Sequence, residues 1–229
     1  MVDIRDYINL SETAISINNS FSVPTDFKTF YKTIGSNEKK SLVRHFIVNN
    51  VPFAFKDKPI LYEQITQYIA DKLEITPTEV KLIGSAKTGF SICPLPDYGK
   101  TFGQHSDLDF SIVNEELFNK LEDEFIDWTD QFKLKQIAAF NPTEESYWQQ
   151  NLDSGPRQLN NGFIDTHYIP NRDLFATTKK INNSMWLIKK YLEQTHNIKV
   201  KKASASIYRS WYSFAGRLNR NTDYVMKNV

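Results

Sequence analysis

The sequence predicts an α+β fold: an α/β-like mixed sheet flanked by helices, followed by a helical C-terminal region. Three observations predict it. Apolar residues recur at helical spacing after Pro59 and give way at Val80-Lys81-Leu82-Ile83 to a short strand-like run. Asp107 to Val113 shows strand alternation, with Leu108, Phe110 and Ile112 on one face and Asp107, Asp109 and Ser111 on the other. The stretches Asp173–Glu193 and Ala205–Met226 each read as a helix and close the chain.

Residues 1–58 read as a mainly helical lead-in, with Pro24-Thr25-Asp26 as a helix start and Ser41–Asn50 as a helical run ending before Pro52. Pro59 then opens a helix whose stripe of Ile60, Leu61, Ile65, Tyr68, Ile69 and Leu73 carries it to about Lys72. Thr76-Pro77-Thr78 breaks that helix ahead of the Val80–Ile83 strand, and Gly84-Ser85 turns the chain into another helix start. Cys93 to Ser106 holds two prolines and two glycines without periodicity, and so predicts a long loop. After the Asp107–Val113 strand, Asn114 caps a helix that begins at Glu115 and runs through Leu117, Leu121 and Phe125 to near Trp128. Asn141 to Asn161 is polar and interrupted by Pro and Gly, and no element is assigned to it. Gly162–Ile169 reads as a further strand, stopped by Pro170. The domain plan is therefore a lead-in over 1–58, a core over 59–172 and the helical region over 173–229.

Composition narrows the class of protein. The 229 residues are 40% apolar and 24% charged with only 8 Gly and 9 Pro, which excludes collagenous and low-complexity chains. A single cysteine, Cys93, rules out an internal disulfide and a cysteine-only zinc site. No apolar run is long enough to span a bilayer, so no membrane partner is expected, and the opening MVDIRDYINL lacks the basic flank of a secretory signal. A cytoplasmic location is the expectation. The net charge of +1 hides a split: residues 179–229 hold 11 Lys or Arg against Glu193 and Asp223, a local +9, whereas the first 178 carry −8. A basic flank beside an acidic centre suits phosphates and cations together, although a solvated helix face would give the same count.

The chemistry concentrates in two strands and a turn. Asp107 and Asp109 lie two residues apart on a strand, so both point to one face and can offer oxygen to hard cations. Fifteen aspartates in 229 residues would produce roughly one such pair by accident, so the pair needs context. A lone carboxylate at Asp165, inside the apolar run GFIDTHYI, is costly to bury without a partner or cation. If the two strands are neighbours, three carboxylates converge, as a two-cation phosphoryl-transfer site requires. His167 would share the face of Asp165, though a structural histidine is the commoner case. Gly84-Ser85 lets backbone approach a ligand and lets a hydroxyl hold phosphate oxygens, with Lys87 close enough in sequence to add charge. Neither a P-loop string nor a dinucleotide fingerprint is present. In the basic C-terminal region Arg209 and Arg217 are the better phosphate contacts because of their planar donor forks, and interleaved aromatics such as Tyr208 and Trp211 suit core packing or stacking on a base.

The ordered string Leu82-Ile83-Gly84-Ser85 with Gly89, then Asp107-Leu108-Asp109, then Asp165, resembles nucleotidyltransferases of the DNA polymerase beta type over about Pro59 to Pro170. The resemblance implies a nucleotidyltransferase core in which Gly84 and Ser85 grip a triphosphate. It implies that Asp107, Asp109 and Asp165 hold magnesium, or manganese in its place, and that Asp165 helps place and deprotonate the attacking hydroxyl. It further implies a nucleoside triphosphate substrate, an acceptor that is a nucleotide, RNA or a partner protein, and pyrophosphate as the leaving group. The interval from Ser85 to Asp107 is longer than the superfamily's compact form and is similar to bacterial synthetases of nucleotide signals and related phage-defence proteins. Because some members act as antitoxins, a toxin or effector partner and a catalytically idle nucleotide- or toxin-binding module form the alternative.

Overall fold

The computed structural model describes Ile8 and residues 10–229. It is an α+β fold built on a four-stranded mixed sheet. The lead-in is helical: α1 (Glu12–Ser16), α2 (Pro24–Thr33) and α3 (Ser36–Val43), the last running into a wide π turn at Arg44–Val48. Helix α4 (Pro59–Leu73) starts on Pro59 at its first position and ends where Glu74 takes a left-handed φ of 60°. Its buried side is Leu61, Tyr62, Ile65, Ile69 and Leu73. Ile60, which the spacing placed in this stripe, is instead exposed, since one residue turns the helix by about 100° away from Leu61.

A single turn at Pro77–Glu79, in which the Glu79 carboxylate accepts from the Thr76 amide at 2.7 Å, leads into β1 (Val80–Ile83). Gly84 then turns the chain into the short α5 (Ser85–Thr88). The predicted loop is folded back on itself: Phe90 bridges Thr101, and the Tyr98 hydroxyl donates to the Pro24 carbonyl at 2.7 Å, tying the loop to α2. Strand β2 (Asp107–Val113) follows, then α6 (Glu115–Lys133), capped by Asn114 as its sequence requires and running one turn past Trp128.

Two expectations change here. Asn141–Asn161, left without an element, contains α7 (Pro142–Asn160), capped by Asn141 and carrying Pro156 inside it. Its apolar signal is weak because the helix buries only Trp148, Gly155 and Leu159. The Gly162–Ile169 strand is shorter than expected: β3 covers Phe163–Asp165, and Thr166–Tyr168 turns into a single helical turn.

A third correction is larger. Helix α8 (Ala176–His196) closes on Asn197, and β4 (Lys202–Tyr208) follows it before α9 (Trp211–Asn228). The helix read over Ala205–Met226 therefore begins six residues later, and its first residues belong to a strand. That strand sits inside the sheet, whose order is β1-β2-β4-β3, so residues 202–208 complete the core assigned to 59–172. Strand β2 pairs with β1 and β3 pairs with β4 in antiparallel fashion, while β2 and β4 run parallel.

One face of the sheet is apolar and packs on α4, α6 and α8 through Val80, Leu82, Leu108, Phe110, Ile112, Ile164 and Ile207. The carboxylate of Glu124 on α6 caps α8, accepting from the amides of Thr177 (2.6 Å) and Thr178 (3.0 Å). The other face is covered only in part. A second cluster of Val113, Phe163, Tyr208, Phe214 and Leu218 joins α9 and the N-terminal helices at one end and leaves the remainder of the face open. Among the described residues no helix is long and apolar enough to cross a membrane.

Gly155 is fixed by contact between α6 and α7, since a Cβ there would lie 2.2 Å from Cζ of Phe125. The ring is 3% exposed and packs edge-on against Trp128, so it has nowhere to move. Gly155→Ala is expected to destabilise the protein by about 1–3 kcal/mol, because overpacking outweighs the gain in helix propensity. Urea unfolding would read this as a lowered midpoint at unchanged slope; an unchanged or raised midpoint would refute the packing account.

Candidate functional site

The uncovered part of the second face is a cleft of about 330 Å³. Alternation along β2 puts Asp107 and Asp109 on it, opposite the apolar set Leu108, Phe110 and Ile112. Alternation along β4 does the same for Lys202, Ser204 and Ser206, while Ala205 and Ile207 enter the core. Register then fixes the neighbours: Asp107 lies beside Lys202, Asp109 beside Ser204, and Ser206 beside Asp165 of β3. The three aspartates line one cleft, together with His167, Tyr208, Arg217 and Asn221. The strands that bear them are not neighbours, so the condition set for their convergence is not met, yet they face one cleft. Strand β4 runs between the pair at 107 and 109 and the single acid at 165.

The turn after β1 stands directly against this cleft. Ile83 pairs with Asp109, and Gly84 adopts φ 69°, ψ −158°, a conformation open to glycine and strained for other residues. A Cβ on Gly84 would lie 3.0 Å from Oδ2 of Asp109. Glycine is thus favoured by the backbone conformation, and a Cβ would also press closely on the carboxylate in front of it.

The three acids are treated differently by their surroundings. Asp109 accepts a hydrogen bond from the Ser204 hydroxyl at 3.0 Å. Its pKa is nonetheless raised above the ordinary carboxylate value, chiefly by burial and further by the charges of Asp107 and Asp165, against the pull of Ser204 and Lys202. Oδ1 of Asp107 is buried and has no hydrogen-bond partner. Asp165 is fully engaged: Oδ1 accepts from the Ser206 hydroxyl, Oδ2 accepts from Nε2 of Gln158 at 3.2 Å, and Arg217 stands 4.0 Å away. His167, exposed at the rim, has its pKa lowered by the protein packed along its ring, with Asp165 opposing.

An orphaned carboxylate oxygen beside a second carboxylate whose charge is disfavoured fits a hard divalent cation such as magnesium or manganese. Among the described residues no group of three or more His, Cys, Asp or Glu stands close enough to hold one ion. The donor set the protein offers is therefore the pair Asp107 and Asp109. Magnesium is commonly bound in this way, by one or two carboxylates with the remaining ligands drawn from water and substrate phosphates.

The basic residues named from sequence divide. Arg217 reaches the cleft: its guanidinium lies 3.7 Å from the centroid of Phe163, and Nη1 donates to the Tyr208 hydroxyl at 2.8 Å. Arg209 does not. It stacks on Phe118 and binds both oxygens of Glu122 on α6, at 3.1 and 3.0 Å. Lys87 also points away, being 2% exposed with Nζ donating to the carbonyls of Asn49 and Asn50, the latter at 2.6 Å. Burial, with a smaller contribution from Lys81, draws its pKa down to about 8, so it holds the 49–50 corner rather than a phosphate. Of the aromatics, Tyr208 lines the cleft and Trp211 does not. Ser204, Ser206 and Asn221 are not among the residues singled out from sequence, Ser206 because the helix read over Ala205–Met226 takes in the end of β4 and Ser204 because it lies just before that helix. The period-two string Lys202-Ala-Ser-Ala-Ser-Ile207 was the signal that could have found them.

No family model, curated protein or solved structure matches the chain.

Because the folded-state pKa of Asp109 lies above its unfolded value, ionising it costs stability, and the cost grows as pH rises through the folded pKa. Below the unfolded carboxylate range the cost is gone. Asp109→Asn is therefore expected to melt at a higher temperature than wild type at pH 7 in EDTA, with the difference shrinking towards pH 4. A lower melting temperature for the variant at pH 7 would contradict the electrostatic reading of the cleft.

Proposed function

We propose that the protein is a metal-dependent nucleotidyltransferase that moves a nucleoside monophosphate from a nucleoside triphosphate to a hydroxyl acceptor and releases pyrophosphate. The observation that carries this reading is the placement of Asp109 against Gly84, where a Cβ would come within 3.0 Å of Oδ2, with Asp107 beside it in the same cleft. The likeness to polymerase-beta-type enzymes seen in sequence predicts such an arrangement of strand, turn and acidic strand.

In this reaction the acceptor oxygen attacks the α-phosphorus, its proton passes to a base in the cleft, the role the likeness gives Asp165, and the bond to the pyrophosphate oxygen breaks. A bound cation supplies a lowered pKa for the attacking hydroxyl and neutralisation of charge on the leaving oxygens. Asp107 and Asp109 would hold that cation, and the Ser204 hydroxyl fixes the rotamer of Asp109. The Gly84-Ser85 turn lets phosphate oxygens approach backbone and hydroxyl without steric conflict. Lys202 and Arg217 line the same cleft and counter the charge of a polyphosphate. Asp165 is the third carboxylate of this reading, facing the cleft from beyond β4. The acceptor is a nucleotide, RNA or a partner protein, and a triphosphate substrate puts the work in the cytoplasm.

One observation favours a second reading. Asp165 is already taken up by Ser206, Gln158 and Arg217, as it would be in an idle module that binds nucleotide or a toxin without turning over. Magnesium-dependent pyrophosphate release, measured over the four nucleoside triphosphates with and without RNA or partner protein, separates the two.

Asp107→Asn and Asp109→Asn are each expected to lower pyrophosphate release at least about a hundredfold, the scale on which loss of a transition-state charge contact acts. Circular dichroism should show both variants folded. Turnover that persists undiminished in either one would remove the assignment.

A further inference from the structure

Asp165 and Arg217 are opposite charges that face each other in the cleft at ion-pair distance. Nη1 of Arg217 lies 4.0 Å from Oδ1 of Asp165, and their side chains are only 26% and 18% exposed, so solvent screens the pair less than it would on an open surface. The arginine is held in place independently, by its stack on Phe163 and its bond to the Tyr208 hydroxyl. The aspartate is likewise held, by Ser206 and Gln158. Asp107, by contrast, keeps an unpartnered oxygen at the far side of the same cleft.

A self-paired couple of this kind restrains two classes of ligand at once. A polyphosphate arriving alone must draw Arg217 away from Asp165 and leave a carboxylate facing a new negative charge. A divalent cation arriving alone at Asp107 and Asp109 meets the reverse problem, since Arg217 adds positive charge to the same cleft and holds back the negative charge of Asp165. A complex carrying both charges satisfies both groups together. We propose that the Asp165–Arg217 pair makes the cleft selective for a cation–polyphosphate complex over either component alone. This inference rests on the reading of the cleft as a triphosphate site and adds a specificity element to it.

Calorimetric titration of the full chain tests it, with manganese chloride alone, tripolyphosphate alone in EDTA, and the two combined. Asp165→Asn is expected to bind tripolyphosphate alone about threefold to tenfold more tightly than wild type, and Arg217→Gln to bind manganese alone more tightly by a similar factor. In the Asp165→Asn background, Arg217→Gln should no longer raise manganese affinity, because the carboxylate it would release is gone. Arg217→Met, which keeps the stack on Phe163, replaces the glutamine variant if circular dichroism shows that variant unfolded. Additive gains in the double variant would mean bulk charge alone and would overturn the inference, as would a gain in one variant only or in neither. Those results leave the triphosphate reading standing so long as wild type binds manganese tripolyphosphate and Asp107→Asn weakens manganese binding. Loss of either of these two results would overturn that reading and the inference with it.

Discussion

Between the two acid-bearing strands runs β4, paired with both, and its register decides what each carboxylate meets. Ser204 falls opposite Asp109 and Ser206 opposite Asp165, so each acid gains a hydroxyl from the strand that separates them. A slip of one residue would bring Ala205 and Ile207 to the cleft and carry serines into the core. The burial of Ile207 at 0% exposure, within the cluster under α4, α6 and α8, holds the register where it is. Core packing on one face thereby sets the spacing of charges on the other.

The incomplete cover of that other face matters equally. Helix α9 and the N-terminal helices seal the end marked by Val113, Phe163 and Tyr208 and leave the end with Asp107 and Asp109 open. At the sealed end charges are matched, Arg217 against Asp165 with Tyr208 and Phe163 beneath it. At the open end they are not, with one carboxylate oxygen orphaned and the neighbouring acid pushed above its usual pKa. A sheet designed for stability alone would have no reason to leave that end unmatched, and stored electrostatic tension of this sort is where ligands are commonly received.

Much of the site was legible because strand alternation and turn chemistry are local. Asp107 and Asp109 share a face whatever surrounds them, and Gly84 announces a turn by having no Cβ. The basic residues were not legible in the same way. Arg209 and Arg217 are eight positions apart on the chain, yet one binds Glu122 on α6 and the other enters the cleft, because Arg209 lies just past the end of β4 and Arg217 lies inside α9. Lys87 follows the turn by three residues but is spent on two carbonyls at Asn49 and Asn50, a contact across 38 positions that no local pattern announces.

By itself the sequence determined the α+β class, the Val80–Ile83 strand with its glycine turn, the two-faced strand at 107–113 and the helix that Asn114 starts. Each of these is written in residues adjacent along the chain, where period and capping act. Only the tertiary structure decided that residues 202–208 form the strand joining the two acid-bearing strands, that α7 forms around a glycine pressed on Phe125, and which cations face the acids. Those outcomes depend on partners tens of residues distant, and a short serine- and alanine-rich run becomes a strand only when edges on both sides are there to accept its hydrogen bonds.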